Sequence, residues 1–231
     1  MGRQPRLIAE GLVYHALNRG NNRARVFFHD ADFQQFLHAL VQTKERYPFR
    51  LYAYCLMDNH FHLVLEPAAG QTISRILQSL TVAHTWHYHK RSATSGHVWQ
   101  GRFKSPVVAA DEHLLTVMRY VESNPLRAGL VNDLAFYPWS SYVVHGLGRP
   151  LPVVDEVPLW ASLGQTEEAR QRYWHRWLHT PLTAKELAAV RRSVTSGRPY
   201  GPATWVEQTA VRLGLELAPR RRDRPCKTAE K

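Results

Sequence analysis

Two histidines flank one apolar residue in Met57-Asp58-Asn59-His60-Phe61-His62-Leu63-Val64-Leu65. In a strand, residues i and i+2 share a face, so His60 and His62 would point the same way while Phe61, Leu63 and Leu65 face the opposite layer. Two imidazoles so placed can grip one divalent metal ion. A second pair lies downstream. At about 100° per residue, Tyr120 and Asn124 fall on one side of a helix, one turn apart, beside its apolar stripe. Tyrosine offers a nucleophilic oxygen and asparagine an amide oxygen for a cation. A tyrosine beside an apolar stripe more often packs than reacts, so its chemistry depends on what it faces.

The elements that must position these residues can be read from periodicity. Gly11 to Gly20 alternates as a strand and runs into a polar loop. His15 on it is either a third histidine near the site or, more simply, a strand residue. Helical spacing of Phe33, Phe36, Leu37, Leu40 and Val41 predicts a helix from Asp30 to Tyr47, closed by Pro48. Phe49 to Met57 is a second strand, Asp58-Asn59 a tight turn, and His60 to Glu66 a third strand. A helix follows from about Thr72 to Lys90. Its end carries His84, His87 and His89, which read as a basic helix terminus, with a zinc site there as the alternative.

Val98 to Val108 is extended and mixes cationic and aromatic residues, a pattern suited to phosphate pairing and base stacking or, equally, to a hairpin whose aromatics pack inward. Asp111 caps a helix from Glu112 to about Asn124, which Pro125 should end, leaving the Asn124 amide at an accessible terminus. The order strand, helix, strand, strand, helix, strand, helix predicts an α+β, ferredoxin-like (RRM-like) antiparallel β-sheet with helices packed on one face. Gly146 to Pro158 reads as a linker. Helical patterns at about 166 to 179, 183 to 194 and 203 to 214 form a C-terminal extension within 159 to 218, and residues 219 to 231 are a basic tail.

Composition narrows the partner. Thirty Lys and Arg against nineteen Asp and Glu give a net charge of +11, which points to a polyanion, most simply nucleic acid. The two cysteines, Cys55 and Cys226, imply no disulfide framework and suit a reducing cytoplasm. Neither a signal-peptide core nor an 18-residue apolar stretch is present, so no membrane association is expected.

His60-Phe61-His62 resembles the HUH motif of single-strand nucleases and transposases. Trp99-Gln100-Gly101-Arg102-Phe103-Lys104 and Arg119-Tyr120-Val121-Glu122-Ser123-Asn124-Pro125-Leu126-Arg127-Ala128-Gly129 are similar to segments of the REP-associated tyrosine transposases. The resemblance covers residues 8 to 145, so residues 1 to 145 are expected to form an HUH tyrosine transposase domain. It implies metal-dependent cleavage and rejoining of single-stranded DNA at hairpin-forming palindromic repeats through a covalent 5′-phosphotyrosine. Tyr120 would be the nucleophile, and His60, His62 and Asn124 the ligands of Mg²⁺ or Mn²⁺. Arg19, Arg23, Arg102, Lys104 and Arg127 are candidate phosphate contacts, with Trp99 and Phe103 as stacking partners. The implied protein is a cytoplasmic, nucleoid-associated monomer, with a dimer as the alternative. A competing class is a catalytically silent single-strand-binding module, since ferredoxin-like sheets bind strands through aromatics.

Overall fold

A computed structural model describes residues 10–215; the basic tail expected at 219 to 231, and Cys226 in it, lie outside the described residues. Strand β1 (Val13–Arg19) leads through a short 3₁₀ turn into helix α1 (Asp30–Arg46), followed by β2 (Phe49–Met57) and β3 (His60–Pro67). Helix α2 (Ile73–Ser92), the two-residue β4 (Val107–Val108) and helix α3 (Glu112–Glu122) complete the core. The strands form one antiparallel sheet in the order β2-β3-β1-β4. That order is the ferredoxin-like arrangement expected, with the histidine strand central. Helix limits follow local chemistry: Asp32 accepts from the amides of Phe28 and His29 at the start of α1, and Thr72 caps α2.

Helices cover both faces of the sheet, not one. Phe61, Leu63 and Leu65 of β3 pack with residues of α1 and α2 in one core. Val64 of β3, with Val13, Cys55 and Met57, packs against α3 in a second core. That second core also takes in Trp174 and Leu178 of α6 (Glu167–His179) and Val190 of α7 (Ala184–Ser196). The reason is the apolar demand of the sheet itself. Nearly every residue of β2 and β3 is buried, so a covering layer is needed on each side.

Asn124 does not end a helix. Ser123 breaks α3, and the chain turns helical again in α4 (Asn124–Arg127), with Pro125 in the first turn, where its missing N–H is not needed. Asn124 is consequently buried, not accessible.

The stretch expected as a linker is seated on the body. Val153 is buried in the first core and Val157 in the second, while the Asp155 backbone pairs with Leu51 at the β2 edge. A short helix α5 (Tyr142–His145) precedes it, and α8 (Ala203–Arg212) ends the described chain. The capping box of Thr183 with Glu186 opens α7, and Gly197 closes it in the left-handed region at φ 73°. Both sheet edges are occupied: Cys55 bridges Ser140 at one, and Val108 bridges Tyr200 at the other. Among the described residues, no helix is long and apolar enough to cross a membrane.

Candidate active site

The register of β1 on β3 decides which side chains meet. Leu17 lies opposite His62 and Arg19 opposite His60, so His15, Leu17 and Arg19 share the histidine face. His60 and His62 lie with ring centroids 5.0 Å apart. Helix α3 crosses that face and sets the Tyr120 ring 5.9 Å from His62 and 5.8 Å from His15. The rings of His60, His62 and Tyr120 border a cleft of about 360 Å³ that Arg19, Arg102 and Lys104 also line. Three cations around one tyrosine make it a receptor for an anion.

Each of the two strand histidines has one ring nitrogen engaged and the other left over. The Asn59 amide donates to the Arg23 carbonyl (3.2 Å), which turns its Oδ1 toward His60 Nδ1 at 2.6 Å. A carboxamide oxygen only accepts, so His60 Nδ1 carries the proton and Nε2 is bare. His62 Nδ1 meets His15 Nε2 at 2.9 Å, leaving His62 Nε2 as the other available nitrogen. Burial, then the Arg19 and Arg127 charges, holds His60 down to about 4. Burial, then neighbouring His60, His15 and Arg127, holds His62 well below its usual value. Neutral imidazoles oriented by a second hydrogen bond are what a divalent metal requires.

Asn124 is placed differently from expectation. Its Nδ2 donates to the Tyr120 and Val121 carbonyls, and its Oδ1 accepts from Arg127 at 2.8 Å. Arg127 also donates to the Tyr120 carbonyl (2.8 Å) and the Ser123 hydroxyl (2.6 Å), and its guanidinium lies 4.2 Å from the Tyr120 ring centroid. In this arrangement Asn124 and Arg127 hold the end of the tyrosine helix. The asparagine oxygen is turned to a cation already present.

Of the other expected contacts, Arg19 donates twice to Gln100 Oε1 while facing the cleft, and Arg23 is exposed at the 3₁₀ turn beside Asn59. Trp99 is a correction. It is largely buried edge-on to Phe61, and its indole N–H is shared by the Thr81 carbonyl and the Thr85 hydroxyl, so it chiefly packs the core while its remaining surface lines a cavity with Gln78 and Gly101. Phe103 is half-buried and borders that same cavity with Asn18 and Arg102. The zinc alternative on α2 dissolves: His84 contacts the Val26 carbonyl, His87 contacts Asp32, and His89 contacts Thr94 and Gly96.

Sequence reasoning undervalued His15, whose membership follows from register alone, and missed Asn59 and Val194 of α7, which lines the cleft.

The model of the family described as "Transposase IS200 like" matches residues 9–124, half of the chain, and its span includes His60, His62, Tyr120 and Asn124. The chain belongs to the IS200-like transposase family. An Escherichia coli REP-associated tyrosine transposase is 21% identical over 139 residues, 58% of this chain and 78% of that protein. A Haemophilus influenzae protein provisionally described in the same terms is 25% identical over 118 residues, 47% of this chain and 67% of that one. A solved REP-associated tyrosine transposase, bound to a REP hairpin, superposes with a TM-score of 0.54 at 18% identity, over 68% of this chain and 99% of that one. The four-stranded sheet with its helices is thus the shared fold, and the C-terminal extension lies outside the residues that the family model matches.

Proposed function

We propose that this transposase cleaves and rejoins single-stranded DNA beside a hairpin-forming repeat by transesterification on Tyr120. The observation that carries the reading is Tyr120 set edge-on to His62 of its own chain, within one basic cleft. A strand entering it has its phosphates met by Arg19, Arg102 and Lys104. The Tyr120 oxygen attacks the scissile phosphorus, and the bond from phosphorus to the 3′ oxygen breaks. The tyrosine proton is lost, the departing oxygen gains one to become a 3′-OH, and the 5′ phosphate stays on the enzyme. Attack by a 3′-OH on that phosphotyrosine reverses the step, so no nucleotide is consumed.

A divalent ion such as Mg²⁺ or Mn²⁺, held by His60 and His62, would polarise the phosphate and offset charge developing on its oxygens. Asn124, whose Oδ1 already accepts from Arg127, would join those ligands through its second lone pair or by exchanging that hydrogen bond. Because tyrosine and histidines come from one chain, a monomer suffices. The hairpin preference rests on the relatives' described partner.

The test is a labelled hairpin oligonucleotide incubated with the full chain and Mg²⁺ or Mn²⁺, then resolved under denaturing conditions. A protein–DNA adduct is expected, reduced at least about 10³-fold in Tyr120→Phe and His62→Ala with binding retained. An adduct that survives Tyr120→Phe refutes the nucleophile. Binding that is undiminished by chelator, with no adduct across a hairpin library, would favour the silent binding module.

A further inference from the structure

Outside the cleft, three side chains that the transesterification does not use come together. Asp133 lies in the turn after α4, and His175 and His179 stand one turn apart on α6. One ligand atom from each lies within 4.8 Å of the others. The His179 Nδ1 bonds to the His175 carbonyl at 2.8 Å, and a carbonyl only accepts, so Nδ1 carries the proton. In the neutral imidazole Nε2 is then the nitrogen with a lone pair. That atom is buried, has no hydrogen-bond partner among the described residues, and faces Asp133 Oδ1 at 3.4 Å. Two such atoms face each other stably with either a proton or a metal ion between them.

The spacing suits a metal. Ligands about 2.0–2.1 Å from a tetrahedral zinc ion lie roughly 3.3 Å apart, close to the separation observed. The third donor is in place: His175 has its ring centroid 4.2 Å from that of His179. Its Nδ1 is engaged by the Tyr142 hydroxyl, so Nε2 is the nitrogen left for a metal. Asp133 is itself oriented, since its Oδ1 accepts from the Ala135 amide at 2.9 Å. His175 also borders a surface cleft of about 610 Å³, which gives an ion and a water ligand a way in.

We propose that Asp133, His175 and His179 form a zinc-class transition-metal site that fastens α6 of the C-terminal extension to the turn following the tyrosine helix. Two imidazoles and one carboxylate favour Zn²⁺ over Mg²⁺, which prefers all-oxygen ligation. The ion would hold two elements together and is separate from any ion at His60 and His62.

The experiment uses the full chain carrying His60→Ala and His62→Ala, stripped with chelator and titrated with Zn²⁺ by calorimetry at neutral pH. One equivalent binding at roughly micromolar affinity or tighter is expected. At about 100 times Kd, the melting temperature should rise by about 5–10 °C. Co²⁺ in place of Zn²⁺ should give the visible bands of a tetrahedral site. His175→Gln with His179→Gln should weaken that equivalent at least about tenfold; Asp133→Asn, which keeps the turn, gives an independent readout should the double variant not fold. Zinc binding unchanged in these variants, or an absent equivalent in the parent, overturns the site and points to a proton shared by His179 and Asp133. The variants with His60 and His62 intact should still form the Tyr120 adduct, so the two readings can fail separately.

Discussion

A histidine in an apolar nest is both an anchor and an acid liability, and His84 shows it away from the cleft. Its Nε2 contacts the Val26 carbonyl at 3.1 Å, while its Nδ1 is buried without a partner among the described residues, between the rings of Phe27, Phe36 and Trp99. Burial, the largest influence, holds its pKa down to about 4 against an ordinary 6.5. Between those values the unfolded chain binds a proton that the folded chain refuses. The contribution of His84 is thus fully present above pH 6.5 and is lost as pH falls toward 4, by up to about 3 kcal/mol. His84→Gln should flatten that acid limb in urea melts recorded across about pH 4–7; an unchanged slope would reject the account. The same burial acts on His15, held down to about 3, and His60, so the cleft keeps bare nitrogens into mild acid. His60 and His62 were legible in the sequence because period two is a local rule. His15 was not, since its place depends on a register that the turn and the buried faces fix together.

At the level of elements, α3 is held from behind as well as in front. Arg119, adjacent to Tyr120 and almost fully buried, donates to the carbonyls of Trp177 (3.0 Å), Thr180 (2.6 Å) and Pro181 (3.1 Å) and stacks on Trp177. Glu122, fully buried, accepts from Trp174 at 2.7 Å and His145 at 2.6 Å, and from Ser141. Two buried polar side chains thus tie the tyrosine helix to α6 and to the loop before α7. Arg119→Met should cost about 2–4 kcal/mol by leaving three carbonyls unpaired, read as a lower urea midpoint. A shift under about 0.5 kcal/mol would mean that water replaces the guanidinium. The order of strands and helices was legible because each obeys its own periodicity and caps. Two things were not. The second layer over the sheet depends on where distant helices dock, and Trp99 faces inward because Phe61 and α2 offer it a cavity and two acceptors, none of them adjacent in sequence.

For the whole molecule, a net charge of +11 implies that DNA affinity falls steeply with salt. A plot of log affinity against log salt should lose about 0.7 of slope for a single strand with each phosphate-pairing cation removed. Arg102→Ala and Lys104→Ala test this one by one, and an unaltered slope would place the strand elsewhere. The sheet reaches its final edge only through Tyr200, whose amide and carbonyl bond to Val107 and Ala109. Val194, which walls the tyrosine cleft, sits a few residues before it. A chain stopped at the end of α5 would hold both histidines and the tyrosine yet lack that wall and that last rung. The histidines and the tyrosine are thus encoded early and their enclosure late, so the order of synthesis postpones the finished cleft until α7 and Tyr200 have been made.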